Sequence, residues 1–359
     1  MEKTRIAVAG AGYIGQAHMA AAQASASVTL SAVVDPSPAA AALASSAGVP
    51  WYPSLEEMLG RDCPAGVVLA TPNQLHVAHA TLCLEAGLPM LLEKPMAPTV
   101  QEGAALAQAI EERKARVLVG HHRAHSPIMA KACEVVRSGR LGKLVAVVGS
   151  ATFFKPDSYF LEAPWRREPG AGPILLNMIH EVHNLRMLCG DVVAVQAFAS
   201  NATRGFAVED TVAINLRFAN GALGSFMLSD TAACPRSWEQ TSRENEAYAA
   251  SDDEDCYVIS GTNGSLAVPT MRLKAYPRLQ DRSWWKPFTA EVVAMVREDP
   301  IRCQMEHFGA VVRGEAAPLV SARDGLENLR VAQAISEAAA TGRVVPLDGG
   351  RQRQPALSQ

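Results

Sequence analysis

Two short stretches carry side chains able to do chemistry. Lys94 stands in the triplet Glu93-Lys94-Pro95, directly after the apolar run Met90-Leu91-Leu92. An ammonium at the end of a buried strand is costly to keep charged unless it is paired or used, and one beside a substrate stabilises negative charge developing on oxygen. The bland reading of Lys94 is a structural ion pair to Glu93 or a neighbouring loop. The second stretch, Gly172 to Gly190, reads "GPILLNMIHEVHNLRMLCG". A zinc protease helix needs His-Glu-x-x-His; His180-Glu181-Val182-His183 is one residue short, with Asn184 where the second ligand belongs. His180 and His183, even with His121, His122 or His125, lack the Cys or carboxylate ligands that complete a site, so no metal is expected. That leaves His180 as a proton-transfer group or as an ordinary hydrogen-bonded helix residue.

A third constellation lies at the start. In "TRIAVAGAGYIGQAHMAAA" a short apolar strand meets a glycine turn and then an alanine-rich helix. Gly10 permits the tight turn, Gly12 lets backbone approach a pyrophosphate, and Gly15 lets helix pack on strand, with Tyr13 and Ile14 completing the turn. A second strand, "VTLSAVVD", ends at Asp35, about 20 residues beyond the last glycine, where an acidic group meets the adenosine ribose. No Lys or Arg follows until Arg61 to receive a 2′-phosphate, so NAD is the expected cofactor.

The elements that must position these groups follow in order. "GVVLATPNQLHVAHATLCLEAG" and "PMLLEKPMAPTVQEGAALAQAIEER" each read strand, turn, helix, and "ARVLVGHH" reads as a last strand. Ligands of a doubly wound sheet sit beyond the carboxyl ends of its strands, which singles out Thr71-Pro72-Asn73, Glu93-Lys94-Pro95 and Gly120 through Arg123. Beyond them the chain turns β-rich: "KLVAVVGSATFF", "VVAVQAFASN", "TVAINLRFANGALGSFMLSD" and "DCYVISGTNGSLAVPTMRLKAYP", two of them with Asn-Gly turns.

Composition excludes several classes. The 359 residues suffice for two cored domains, and 33 basic side chains against 36 acidic ones give no footprint for nucleic acid or a membrane surface. Seven scattered cysteines read as reduced thiols of a cytoplasmic protein. No apolar run approaches the ~20 residues of a membrane span. The strand-like run so close to Met1 argues against a signal peptide.

With these motifs in place the chain resembles the Gfo/Idh/MocA oxidoreductases, the glucose–fructose oxidoreductase and inositol dehydrogenase family. The resemblance rests on the glycine motif, "ATPNQLH", "LLEKP", "VGHHRAHSP", "GPILLNMIHEVHNLR", "ISGTNGSLAVP" and the closing "HFGAVVRGE…DGLENLRVAQAISEAAATG". It implies an α/β fold: a Rossmann NAD-binding domain over 1–123, then a substrate-binding and oligomerisation domain over 124–350 with a large, mostly antiparallel open sheet. Residues 351–359 read as a loose tail. It implies that Lys94 sits beside the nicotinamide and bonds the reacting oxygen, and that His180 is the acid/base. The family's aspartate four residues earlier is Leu176 here, followed by Asn177, and a second acidic position is His183. Asn73 and His76 would lie near ribose or nicotinamide, His76 alternatively being a helix-face residue, and a homodimer or homotetramer would form through the second sheet.

The expected activity is an NAD-dependent interconversion of secondary alcohol and ketone on a sugar, cyclitol or related polyhydroxylated molecule. The alternatives are reduction of an aldehyde, imine or non-sugar ring diol, or a non-catalytic dinucleotide-binding sensor. On a wheel of ~100° per residue, Leu175, Ile179 and Val182 form an apolar stripe, opposite Asn177, His180 and Asn184 on a cleft-facing side. Glu93 either orients Lys94 or caps its strand. Arg123 either holds ligand or braces a domain junction. Trp165 and Arg166 either close over the ligand or serve packing or a subunit contact. The polar excursion containing Trp238 and Glu239 is either a lid or a solvated loop.

Overall fold

Six parallel strands form the first sheet, in the order β3-β2-β1-β4-β5-β6: β1 (Thr4–Ala9), β2 (Val28–Val34), β3 (Trp51–Tyr52), β4 (Gly66–Leu69), β5 (Met90–Leu92) and β6 (Val117–Val119). The central strands are runs of Ile, Val, Ala, Leu and Met buried on both faces, the pattern a parallel sheet demands when crossover helices cover it twice. Strand order reverses between β1 and β4, so their carboxyl ends, Gly10 and Ala70, flank the switch point where such sheets bind ligands.

The computed structural model describes residues 2–348, so the proposed tail at 351–359 lies outside the described residues. The chain divides into two compact units, one of Met1–Ser126 with Glu298–Leu329, the other of Pro127–Arg297 with the chain from Arg330. The division at 123/124 read from sequence therefore differs over 298–329, which returns to the first unit. The cause is packing. The helix Pro300–Arg313 buries Met305, Phe308, Val311 and Val312; Val312 and Phe308 press so closely on β4 that a Cβ at Gly66 would meet Val312 at 2.7 Å. Glu306 of the same helix accepts the amide of Ala26 at 2.9 Å.

The second unit is built on a ten-stranded sheet of order β15-β14-β13-β12-β7-β10-β9-β8-β16, with β11 also paired to β7. Its strands are β7 (Leu144–Phe154), β8 (Val192–Ser200), β9 (Thr211–Phe218), β10 (Leu223–Ser229), β11 (Thr231–Arg236), β12 (Tyr257–Gly261), β13 (Gly264–Val268), β14 (Arg272–Ala275), β15 (Thr289–Val292) and β16 (Val345–Pro346). All pairs are antiparallel except β7 with β10. The expected Asn-Gly turns join β9 to β10 and β12 to β13, with Gly221 at a positive φ of 90°.

Alternation along β9 puts Val212, Ile214, Leu216 and Phe218 in the core. On the opposite face Val148 is in register with Ser225 and Val258, and Phe198 with Ala213 and Met227. Val148, Phe198, Met227 and Val258 are all exposed.

Candidate active site

The glycine turn has the geometry its spacing promised. Gly10 has φ +93° and a Cβ there would lie 2.4 Å from the Ala70 carbonyl oxygen; at Gly15 it would lie 1.8 Å from the Gly10 oxygen. Those two glycines are demanded by the fold itself. Gly12 is different: a Cβ would meet nothing within 4 Å, so the open space at the start of the helix Tyr13–Ala24 is available to a ligand. That N-terminus has no side-chain cap and no acidic residue in its first turn, which leaves amide donors and a positive dipole end for phosphate. Tyr13 is exposed and Ile14 half-buried along this turn. The residues present fit a dinucleotide.

Asp35 follows β2 and is anchored from both sides, accepting the Ala11 amide at 2.9 Å and the Ser37 amide at 2.8 Å. Burial pushes its carboxyl up, but the Ser37 and Ala11 hydrogen bonds prevail and hold it below the usual value. A carboxylate has about four lone-pair sites, so acceptor capacity remains for a ribose hydroxyl.

Lys94 is half-buried in the loop after β5, and the Lys94–Pro95 peptide is cis. Its neighbour Glu93 is buried; Oε1 lies 2.8 Å from His18 Nε2, and Oε2 accepts the Lys94 amide at 3.1 Å. The bond to the Lys94 backbone amide is compatible with both expectations for Glu93, orienting Lys94 and capping its strand. Burial would push this carboxyl up, and the His18 hydrogen bond with the charges of His18 and Lys94 brings it below its ordinary value. Gly120 makes room, since a Cβ there would stand 2.8 Å from the Glu93 carboxyl carbon.

His76 is buried, its Nδ1 2.7 Å from the Pro95 oxygen and its Nε2 2.9 Å from the Thr71 oxygen. It thus ties the loop of Thr71, Pro72 and Asn73 to the loop of Lys94; a neutral ring donates to only one of these carbonyls. Burial lowers its pKa. Thr71 Oγ1 lies 3.0 Å from His79 Nδ1, while Pro72 is exposed and Asn73 half-buried. Arg123 is 3% exposed within the short turn His122–His125.

In the second unit the histidine segment departs from an ideal helix. Ile174–Met178 is a π-helical turn, continued by the α-helix Ile179–Cys189. The wider turn rephases the segment, and the stripe meeting the core is Ile174, Met178, Val182, Leu185 and Cys189. Of the expected stripe, Ile179 and Val182 are buried, but Leu175 is only partly so. The expected polar face is corrected too. Asn184 is fully buried and donates to Tyr257 Oη at 3.0 Å, the same hydroxyl that bonds Glu181. His180 and His183 are 8% and 5% exposed. Asn177 accepts from Lys155 Nζ at 2.8 Å.

Glu209 accepts the Ile174 amide at 2.9 Å and so caps the π turn, which is possible because residue 172 is glycine: a Cβ would stand 2.3 Å from its carboxylate. Trp165 is exposed and Arg166 stacks on Tyr159 at 3.8 Å. Trp238 does not lie in a solvated loop; it is 2% exposed, its ring 6.0 Å from Tyr257 and its Nε1 donating to Glu244 at 3.0 Å.

Sequence reasoning missed His18, Lys155, Glu209 and Asp230. The signal for Lys155 was present, a lone lysine between Phe154 and Pro156 ending a long apolar strand; His18 sits three residues after Gly15 but nothing local marked its partner. Among the described residues no group of three His, Cys, Asp or Glu side chains is placed to hold a metal.

One unit is a doubly wound parallel sheet with a glycine turn fit for a dinucleotide, and the other is built on a large, mostly antiparallel sheet. Residues 4–121 match the oxidoreductase family with an NAD-binding Rossmann fold, and residues 129–267 match the GFO/IDH/MocA C-terminal domain. The chain belongs to the Gfo/Idh/MocA family of oxidoreductases. It is 27% identical over 348 residues to the rhizopine catabolism protein MocA of Rhizobium meliloti, covering 94% of this chain and 95% of that one. It is 26% identical over 312 residues to 1,5-anhydro-D-fructose reductase of Ensifer adhaerens, covering 83% and 84%. The WlbA dehydrogenase of Bordetella pertussis, solved with NADH and UDP-GlcNAcA, shares the fold with a TM-score of 0.76 at 24% identity over 96% of this chain and 99% of that one. The protein is an oxidoreductase with a nicotinamide-dinucleotide domain.

Proposed function

We propose that the protein is an NAD-dependent dehydrogenase interconverting a secondary alcohol and a ketone on a polyhydroxylated small molecule of the sugar or cyclitol class. The observation that carries this reading is the arrangement in the first unit: open space at Gly12, a carboxylate fixed at Asp35, and a lysine loop held by His18 and His76. NAD, when bound, supplies hydride acceptance and return at its nicotinamide ring. The glycine turn, Tyr13 and Ile14 hold the pyrophosphate, Asp35 the ribose, and Thr71, Pro72 and Asn73 line the loop next to Lys94, with His76 and Glu93 fixing that loop from beneath.

Lys94 and His180 are the catalytic pair of this reading. The Lys94 ammonium stabilises negative charge as the substrate hydroxyl loses its proton. His180 takes or returns that proton, a role that contributes about 10²–10⁴-fold when the base is positioned. Arg123, Trp165, Arg166, Asn177 and His183 are the proposed substrate contacts. The absence of a disulfide among the described residues suits a reducing cytoplasm, and no described helix is long and apolar enough to cross a membrane. Purified protein incubated with NAD and a panel of polyols tests the reading: NADH formation with any member supports it, and tight cofactor binding without turnover across the panel makes the protein a sensor instead.

A further inference from the structure

Lys155 lies just beyond β7 and is 9% exposed. Besides its bond to Asn177, its Nζ stands 3.3 Å from Asp230 Oδ2 and 4.9 Å from the centre of the Tyr159 ring. Arg166 covers that same ring at 3.8 Å and donates Nη1 to the Tyr159 carbonyl at 2.6 Å, while its Nε is buried with no hydrogen-bond partner. Arg204 is the third cation, its Nε 3.1 Å from Asp230 Oδ1.

The buried carboxylates around this cluster are already engaged. Asp230 is shared between Lys155 and Arg204. Asp210 receives the backbone amides of Thr203 and Arg204 and the Thr211 hydroxyl. Glu209 caps the π turn, and Asp157 approaches only Arg204, at 3.8 Å and from an exposed position. Among the described residues no carboxylate pairs with Arg166.

We propose that Lys155 and Arg166 bind a carboxylate of the substrate, so that the molecule oxidised is a polyhydroxylated acid of the uronate or aldonate kind rather than a neutral sugar or cyclitol. This rests on the dehydrogenase reading above. A buried guanidinium N–H without an acceptor is unfavourable, and a ligand oxygen removes that cost. The guanidinium fork suits a planar carboxylate, and its stacking on Tyr159 holds that fork in place. Burial lowers the Lys155 pKa beyond what Asp230 restores, and Arg166 and Arg204 lower it further; an added anion offsets the repulsion among the three cations. The location is apt, because Asn177 ties Lys155 to the π turn three residues ahead of His180.

The test is calorimetric titration of the full chain saturated with NADH, using D-glucuronate and D-gluconate against D-glucose and myo-inositol, with D-glucose 6-phosphate as a second anion. The acids are expected to bind at least about tenfold more tightly than the neutral compounds, with the preference shrinking as salt is raised. Arg166→Met should collapse the ratio of acid to neutral affinity towards one, while Arg166→Lys retains part of it. Equal affinity for acid and neutral partner, or equal weakening of both by Arg166→Met, overturns the proposal. Tighter binding of the phosphate than of either acid overturns the carboxylate assignment. An NAD reduction assay on the same panel separates the two readings. Acids that bind but never turn over sink the dehydrogenase and leave the acid site, whereas turnover of neutral compounds alone sinks the acid site.

Discussion

His18 and Glu93 form a buried pair, 2.8 Å apart, joining the helix after the glycine turn to the strand end that presents Lys94. Their separation in sequence hides the contact, yet the amide of Lys94 hangs on the second oxygen of the same carboxylate. His18→Leu leaves that carboxylate buried and unpaired, and should cost about 3–5 kcal/mol; His18→Asn, which keeps a donor, should cost less. The pH dependence has a definite sign. Glu93 in the folded protein is held below its ordinary value of 4.5, so its contribution is complete above that value and is lost as pH falls through the lower folded one. In His18→Leu burial is opposed only by what remains, chiefly the charge of Lys94, so the carboxyl rises and the deficit should be largest at neutral pH and narrow in acid. Urea unfolding at pH 7 and pH 4 measures this; a deficit that does not vary with pH would show that Glu93 is not the group affected.

Cofactor choice is expected to follow Asp35. Its two oxygens are pinned by the Ala11 and Ser37 amides, so it cannot swing aside for a 2′-phosphate, and no Lys or Arg lies between Asp35 and Arg61 to neutralise one. NADPH should bind at least about tenfold more weakly than NADH in fluorescence titration. Asp35→Ser should narrow the gap. Equal affinities in the unaltered protein would remove Asp35 from the specificity argument.

The open face of the second sheet is proposed to be covered by another copy of this chain. Val148, Val258, Met227 and Phe198 point the same way in registered rows and are exposed, and contiguous apolar patches of this kind mark interfaces. Val148→Asp should lower the mass found by light scattering to that of a monomer while leaving circular dichroism unchanged. A monomeric unaltered protein would discard the idea.

Legibility followed locality. Five strands of the first sheet and the glycine turn are readable because each of those strands is a short apolar run and because Gly15 answers to Gly10 within its own βαβ unit. The two-residue β3 and the contact of Gly10 with Ala70 carry no local signal. The return of residues 298–329 to the first unit is not readable either, since helix amphipathicity says which face is buried but not against what. The histidine segment failed for a sharper reason: a wheel of constant pitch cannot anticipate a π turn, and a single such turn moved the stripe from Leu175 to Ile174 and Met178. Lys155 and Asp230 stand far apart in sequence, and no spacing rule joins them.

Lys94 remains the centre of the proposed chemistry, and its loop is over-determined in a way that makes the test clean. Its amide is bonded to Glu93 and the following carbonyl to His76, so the backbone should hold its course when the side chain is cut back. Lys94→Ala is expected to lower kcat/KM by about 10²-fold or more, close to 3 kcal/mol of transition-state stabilisation. NADH affinity should change little, because the proposed pyrophosphate and ribose contacts lie at Gly10–Gly15 and Asp35. His180→Ala should give a loss of similar size. If the two residues serve one proton transfer, the double variant loses less than the product of the single losses. The competing reading makes Lys94 a structural cation, and it predicts a lowered melting temperature with turnover almost intact. Melting curves and kinetics on the same Lys94→Ala preparation decide between them: normal turnover would remove Lys94 from the mechanism, and His180 would have to act without it.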